Sequence, residues 1–155
     1  MEFEAKERCW QEIDRISTGV LVHQPAADRR ALPVNGFCCR RSSVIELYAS
    51  LDAAEGLELQ QGMTVCINFA DAIECVFVSL QASISGVDCS GNARPAADRK
   101  KSTPCSVGSG VMIAVRPLTA EFWEPPGRGF MDALDILTQG TNDSHTLSAP
   151  RTIRF

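Results

Sequence analysis

Basic residues gather in two stretches of the chain, and each stretch follows a copy of the pentapeptide Pro-Ala-Ala-Asp-Arg. The first copy ends at Arg29 and is followed by Arg30, and the second ends at Arg99 and is followed by Lys100. Guanidinium and ammonium groups on a loop are suited to binding phosphate or carboxylate groups. We therefore predict that these four residues contact an anionic ligand or an acidic partner if the two loops meet. Two unrelated solvated loops are the alternative.

The pentapeptide is not the trace of a duplicated domain, because the sequences that flank its two copies do not match. The two basic regions together carry eight of the 15 Lys and Arg residues in a chain whose net charge is −4. That acidic balance argues against a general nucleic-acid binder. The basic loops therefore favour a protein partner, with an anionic small ligand as the second candidate.

The cysteines and histidines do not form a metal motif. The chain has seven cysteines and two histidines, and it contains no Cys-x-x-Cys, so no metal site is predicted. An odd number of cysteines and no signal-peptide pattern predict reduced thiols and a cytoplasmic location. The longest apolar runs fall short of the roughly 18 residues that a membrane span needs, so no membrane association is expected.

Nucleophilic catalysis would require a thiol beside a base. Cys38 or Cys39 with His23 is the local pairing that the sequence offers, and no known nucleophile motif surrounds it. We therefore predict a non-enzymatic protein with no cofactor. A cysteine-dependent enzyme that uses Cys38 or Cys39 is one alternative, and a structural subunit of a larger assembly is another.

Trp123 lies beside a Pro-Pro-Gly turn in the sequence AEFWEPPGRG. Tryptophan is enriched among the residues that dominate binding energy at protein interfaces. Trp123 is therefore predicted to be an apolar anchor for a partner, and a lid over the core is the alternative.

Residue periodicity predicts helices in the first half of the chain. Residues 2–16 have the apolar spacing of an amphipathic helix, and residues 19–23 are a strand followed by a polar loop at 24–33. Residues 42–56 suit either structure. The alternation of Ile45 and Leu47 fits a strand, but a capping box at Ser43 and Glu46 favours a helix, which we predict.

The second half of the chain reads as sheet followed by a helix. Residues 62–69 and 73–80 form a predicted antiparallel hairpin, and residues 110–118 a further strand. Residues 129–140 are predicted as a helix. The fold class expected is α+β, an antiparallel sheet of about five strands, barrel-like, with N-terminal and C-terminal helices packed on it. One domain would span residues 1–140, and residues 141–155 would form a polar tail.

Arg29 and Arg30, then GLELQQGMTVCINF, then GSGVMIAVRPL with a helix after it, follow one another in an order that resembles PilZ domains. These are small β-barrels that bind cyclic diguanylate through an Arg-x-x-x-Arg segment. Pro33 and Val34 stand where a second arginine would be. The resemblance therefore implies a degenerate PilZ-like regulatory domain, an adaptor that acts through protein–protein interaction, with a cyclic dinucleotide as the second candidate for what it binds.

Overall fold

The computed structural model describes residues 2–23, 30–50, 54, 58–91, 110–125 and 150–155. One helix, α1 (Glu2–Ile16), precedes the first strand. The described strands are β1 (Thr18–His23), β2 (Arg30–Cys39), β3 (Val44–Ser50), β4 (Thr64–Asp71), β5 (Val76–Gly91), β6 (Gly110–Trp123) and β7 (Arg151–Arg154). No helix in the described part of the chain is long and apolar enough to cross a bilayer.

Six strands close into an antiparallel barrel. Their order is β3-β2-β1-β4-β5-β6, and a pairing between β3 and β6 joins the two ends of the sheet. The long strand β6 divides its outer edge between two neighbours. Residues 110–115 pair with β3, and residues 119–122 pair with β7. The predicted barrel-like sheet is thus confirmed in its general form, with six strands in the closed barrel rather than about five.

Alternation of side chains fills the barrel interior. Leu21, Ile67, Leu80 and Ile113 come from four different strands, and each is completely buried. Residues two apart on a strand face the same side of the sheet, so each strand contributes every second residue to this core. Helix α1 packs against the core through Cys9, Trp10 and Ile13, as its amphipathic pattern predicts.

The helix predicted over residues 42–56 is wrong for residues 42–50. Residues 44–50 form β3, in which Ile45, Leu47 and Ala49 are buried. Ser43, the predicted helix cap, has a φ of 52° and lies in the tight turn between β2 and β3. The two-residue alternation prevails over the capping box, because it lets β3 bury one face while it pairs on both edges.

Strand β2 was predicted in part as a loop because of Pro33. In the described residues β3 pairs only with residues 35–39 of β2, so Pro33 has β1 as its neighbour there. A proline is tolerated where only one edge of a strand needs hydrogen bonds. The predicted strand at 19–23, the hairpin of β4 and β5, and the strand beginning at Gly110 are confirmed.

The predicted helix at 129–140 lies outside the described residues. Of the predicted tail, residues 150–155 are described, and four of them form β7. Ile153 is buried there, and the Phe155 ring packs edge-on against Trp10 with 5.3 Å between centroids.

A buried carboxylate holds α1, β6 and β7 together. Glu124 follows β6 and is 2% exposed. Its Oε2 lies 2.7 Å from Arg8 Nε on α1, and its Oε1 lies 3.7 Å from Arg151 Nη1 at the start of β7. A charge this far from water is stable only when it is paired, so Glu124 fixes where the C-terminal strand docks.

Two glycines make room for Phe69 at the centre of the barrel. A Cβ on Gly19 would lie 2.9 Å from the Phe69 ring and 3.0 Å from the carbonyl oxygen of Asn68. A Cβ on Gly36 would lie 3.2 Å from the same ring. The backbone of β1 therefore passes closer to Phe69 than a Cβ would allow, and a Cβ on β2 at Gly36 would require a small shift of the ring.

We predict that Gly19→Ala lowers the free energy of unfolding by about 1–3 kcal/mol, because Phe69 and the β4 backbone must both move. Urea denaturation of the purified chain measures this. Gly86→Ala is the matched control, because a Cβ there has no atom within 4 Å. Equal unfolding midpoints for the two variants would contradict the packing described.

Candidate functional site

The outer surface of β2, β3, β6 and β5 forms a continuous face, here called the four-strand face. Antiparallel pairing places residues of the four strands side by side in rows across it. One row contains Phe37, Glu46, Ala114 and Gly86, in strand order. The next contains Asn35, Tyr48, Met112 and Asp88. All of these side chains point away from the buried core, because the residues between them face inward.

An aromatic pair forms one side of the four-strand face. The rings of Phe37 and Tyr48 meet edge to face, with centroids 5.6 Å apart. The Tyr48 hydroxyl donates a hydrogen bond of 2.8 Å to Glu46 Oε2. All three side chains are half-buried although they lie on the outside of the barrel. Small-molecule sites are lined mainly by hydrophobic and aromatic side chains with a few placed polar groups, and this cluster has both components.

A patch of small residues, here called the floor, lies beside the aromatic pair. Ala114 and Gly86 are neighbours across β6 and β5, and a Cβ built on Gly86 meets no atom within 4 Å. A β-bulge just before Gly86 places Ser85 as an extra residue, and the Ser85 hydroxyl donates to the Ala114 carbonyl at 3.1 Å. This hydrogen bond stabilises the bulge. Ala114 and Gly86 leave open space above the four-strand face.

Charged side chains lie on two opposite sides of the floor. Arg116 is exposed on β6, two residues beyond Ala114, and pairs with Ser83 of β5. Asp88 lies on the opposite side of the floor, in the row of Tyr48. The face therefore offers aromatic surface, acceptors and a donor within a few residues of one another. Among the described residues, no group of three or more His, Cys, Asp or Glu side chains is placed to hold a metal ion.

Of the four basic residues predicted to bind an anion, the structure describes Arg30. It is exposed at the start of β2, opposite His23. Arg29, Arg99 and Lys100 lie outside the described residues. Whether the four contact a ligand or partner stays a prediction.

The strand ends that flank the two basic segments lie at the same end of the barrel. The first segment follows His23 and precedes Arg30, and the second follows Gly91 and precedes Gly110. Ser50, at the end of β3, pairs with Gly110, and β3 runs antiparallel to β2. The starts of β2 and β6 are therefore adjacent to the same end of β3.

Trp123 is not at that end. It is half-buried at the last residue of β6, in register with Phe77 of β5. Since β6 begins at Gly110, about 40 Å of extended strand separates Trp123 from the end where Arg30 lies. The structure does not bring Trp123 together with Arg30, and its role as an apolar anchor stays a prediction.

The thiol–imidazole pair considered for catalysis is not formed. His23 pairs with Arg30, and Cys38 lies eight residues farther along β2, about 26 Å away in an extended strand. Burial raises the pKa of the Cys38 thiol, and the nearby Asp14 carboxylate raises it further. Burial, followed by Glu12, raises the pKa of Cys9 from 9.0 to about 12. These thiols stay protonated at neutral pH, which is unsuitable for a nucleophile.

We predict that Cys9 and Cys38 react slowly with iodoacetamide in the native protein at neutral pH, because the raised pKa suppresses the thiolate. Their reaction should accelerate only at strongly alkaline pH or after unfolding. Cys39, which is exposed, is the internal control and should be labelled earlier. Peptide mass mapping follows each site, and rapid native labelling of Cys38 would contradict the assigned environment.

No motif in the sequence marks Phe37, Glu46, Tyr48 and Met112 as residues of a binding site. Glu46 and Tyr48 lie in the segment predicted as a helix. A helix there would not place them beside Met112 in one sheet. The alternation of Ile45, Leu47 and Ala49 was the signal for the correct assignment, since it places Glu46 and Tyr48 together on the other side of a strand.

Comparison with known proteins gives a consistent fold. No family model matches the chain, and no curated protein matches it. A solved structure described as general stress protein 26 from Jannaschia sp. CCS1 has a TM-score of 0.63 at 17% identity, with 99% of each chain covered. The general stress FMN/FAD binding protein of Xanthomonas citri has a TM-score of 0.56 at 20% identity, covering 79% of this chain and 89% of that one.

A protein from Listeria innocua, described as a pyridoxamine 5′-phosphate oxidase, gives a TM-score of 0.53 at 10% identity, covering 76% of this chain and 97% of that one. At these identities the likeness establishes the fold alone. The PilZ resemblance is wrong, because the neighbours are consistently barrels of this stress-protein and oxidase type. The regulatory adaptor role that the PilZ resemblance implied is therefore wrong as well. The sequence has Pro33 and Val34 where the second arginine of the PilZ segment would stand, so the order of strands and glycines was the main support for that resemblance.

Proposed function

We propose that the chain binds a flavin, of the flavin mononucleotide class, on the four-strand face. The observation that carries the proposal is the aromatic pair beside an open floor, on a barrel whose fold is shared with a protein named for FMN/FAD binding. A planar isoalloxazine ring is suited to a surface with half-buried aromatic side chains and small residues next to them.

The side chains of the four-strand face fit a flavin ring. Phe37, Tyr48 and Met112 supply apolar contact for the ring. Ala114 and Gly86 supply the space, and a side chain at Gly86 would fill it. When bound, a flavin would supply hydride or single-electron transfer. The residues of this chain would hold the ring and shield one side of it from water. The prediction of a non-enzymatic protein stays a prediction.

The phosphate end of the ligand is assigned to the end of the barrel where β2 begins. Both basic segments join the barrel there, and Arg30 is exposed on β2. Arg29, Arg99 and Lys100 are proposed as its partners in binding the phosphate. Phosphate contacts of this kind are charge-assisted and are lost when the charge is reversed.

We predict that wild-type protein binds FMN more tightly than riboflavin, which has the same ring and no phosphate. Reversing Arg29, Arg30, Arg99 and Lys100 to glutamate should remove this preference, a loss of tenfold or more in FMN affinity on the order expected for charged hydrogen bonds. Riboflavin affinity should change little. Fluorescence titration measures both ligands.

Arg116→Glu is the matched control for the phosphate end, because Arg116 lies farther along β6, beside the ring that FMN and riboflavin share. It should leave the ratio of FMN to riboflavin affinity unchanged. If the ratio of FMN to riboflavin affinity falls to one in Arg116→Glu but keeps its wild-type value in the fourfold variant, the assigned orientation of the ligand is wrong. Absence of FMN binding by the wild-type chain would contradict the proposed function itself.

A second variant tests the floor. We predict that Gly86→Val weakens FMN and riboflavin alike by about tenfold, because its side chain would occupy space needed by the ring. The unfolding midpoint should stay close to wild type, since no atom lies within 4 Å of the added Cβ. Calorimetric binding with a parallel urea titration separates the two effects. Unchanged affinity for both ligands would exclude the floor from the site.

A further inference from the structure

We propose that the Glu46 carboxylate recognises the imide N–H of the flavin ring and selects for ligands that carry it. The inference rests on the proposed function and adds to it a specificity residue. Its basis is the position of a half-buried carboxylate on an aromatic face that is otherwise suited to a neutral ring.

Glu46 is fixed in place before any ligand arrives. Its backbone is held between β2 and β6, opposite Phe37 and Ala114. Its Oε2 accepts the Tyr48 hydroxyl at 2.8 Å, which restrains the side chain in the plane of the face. A carboxylate held by a tyrosine beside an aromatic ring is preorganised, so little conformational entropy is lost when it binds.

The Glu46 carboxylate and an oxidised flavin ring can form only one kind of direct hydrogen bond with each other. An ionised carboxylate is an acceptor without a proton to donate. The oxidised isoalloxazine ring has a single N–H, at N3, and its other polar ring atoms are acceptors. If Glu46 forms a hydrogen bond with the ring, its partner is therefore N3–H. The bond would involve a charged group, which makes it stronger than one between neutral groups.

Donors lie on both sides of Glu46. Arg116 is two residues beyond Ala114 on β6 in one direction, and Asn35 is in the row of Tyr48 in the other. Asn35 Oδ1 accepts from Thr18 Oγ1 at 3.3 Å, so the amide N–H₂ is the part of Asn35 that remains to donate. The imide edge of a flavin has the opposite order, with N3–H between two carbonyl oxygens. On the face, a donor, an acceptor and a donor thus follow one another in the order opposite to that of the edge.

The test compares FMN with 3-methyl-FMN, in which a methyl group replaces the N3 proton. Wild-type protein should bind FMN about tenfold or more tightly than the methylated analogue, the ratio expected for a charge-assisted hydrogen bond. Glu46→Leu removes the acceptor and should bring the ratio close to one. Glu46→Gln keeps a neutral acceptor and should give an intermediate ratio.

Glu121→Leu is the matched control, because Glu121 is an exposed glutamate on β6 in the part that pairs with β7. It should keep the wild-type ratio. If Glu46→Leu does not fold, the intermediate ratio of Glu46→Gln decides the question. Wild-type protein that binds both ligands equally, or a Glu46 variant that keeps the full ratio, would overturn the inference while leaving flavin binding intact. Wild-type protein that binds neither ligand would overturn the proposed function.

Discussion

The pairing of β3 with β6 is the constraint on which the rest of the molecule depends. It joins Ile45 to Val115 and Leu47 to Ile113 in register and turns an open sheet into a closed barrel. The inward residues of this pairing complete the core. An open sheet would leave the edges of β3 and β6 unpaired, which is costly and promotes aggregation.

The outer side of the same pairing creates the candidate site. Glu46 faces Ala114 and Tyr48 faces Met112 only because β3 and β6 are neighbours. The interior is filled, with Phe69 pressed against Gly19 and Gly36. A barrel of this size has room inside for side chains but not for a cofactor as well. The proposed ligand is therefore assigned to the outside, where the four-strand face has an aromatic pair beside two small residues.

The elements that sequence predicts well are those whose local pattern and tertiary environment agree. Helix α1 has one apolar face, and the β4–β5 hairpin alternates cleanly, so both follow from periodicity. β3 was assigned as a helix because Ser43 and Glu46 match a capping box. That local signal is worth about 1 kcal/mol, less than the burial of Ile45, Leu47 and Ala49 in the barrel.

The candidate site was harder to predict than the strands, since its residues come from four strands that are distant in sequence. Phe37, Tyr48 and Met112 carry no motif, and their proximity follows from strand order and register. Clustered charge is visible in the sequence, but the sheet register is what shows that β2 and β6, the strands after the two basic segments, begin beside the same end of β3.

The most direct test of the account is an NMR titration of isotope-labelled protein with FMN. Flavin binding on the four-strand face predicts saturable shifts in the amides of Phe37, Glu46, Tyr48, Met112 and Ala114, with α1 and the β4–β5 turn unaffected. Shifts confined to α1 and the β4–β5 turn, or no saturable shift at all, would contradict the account.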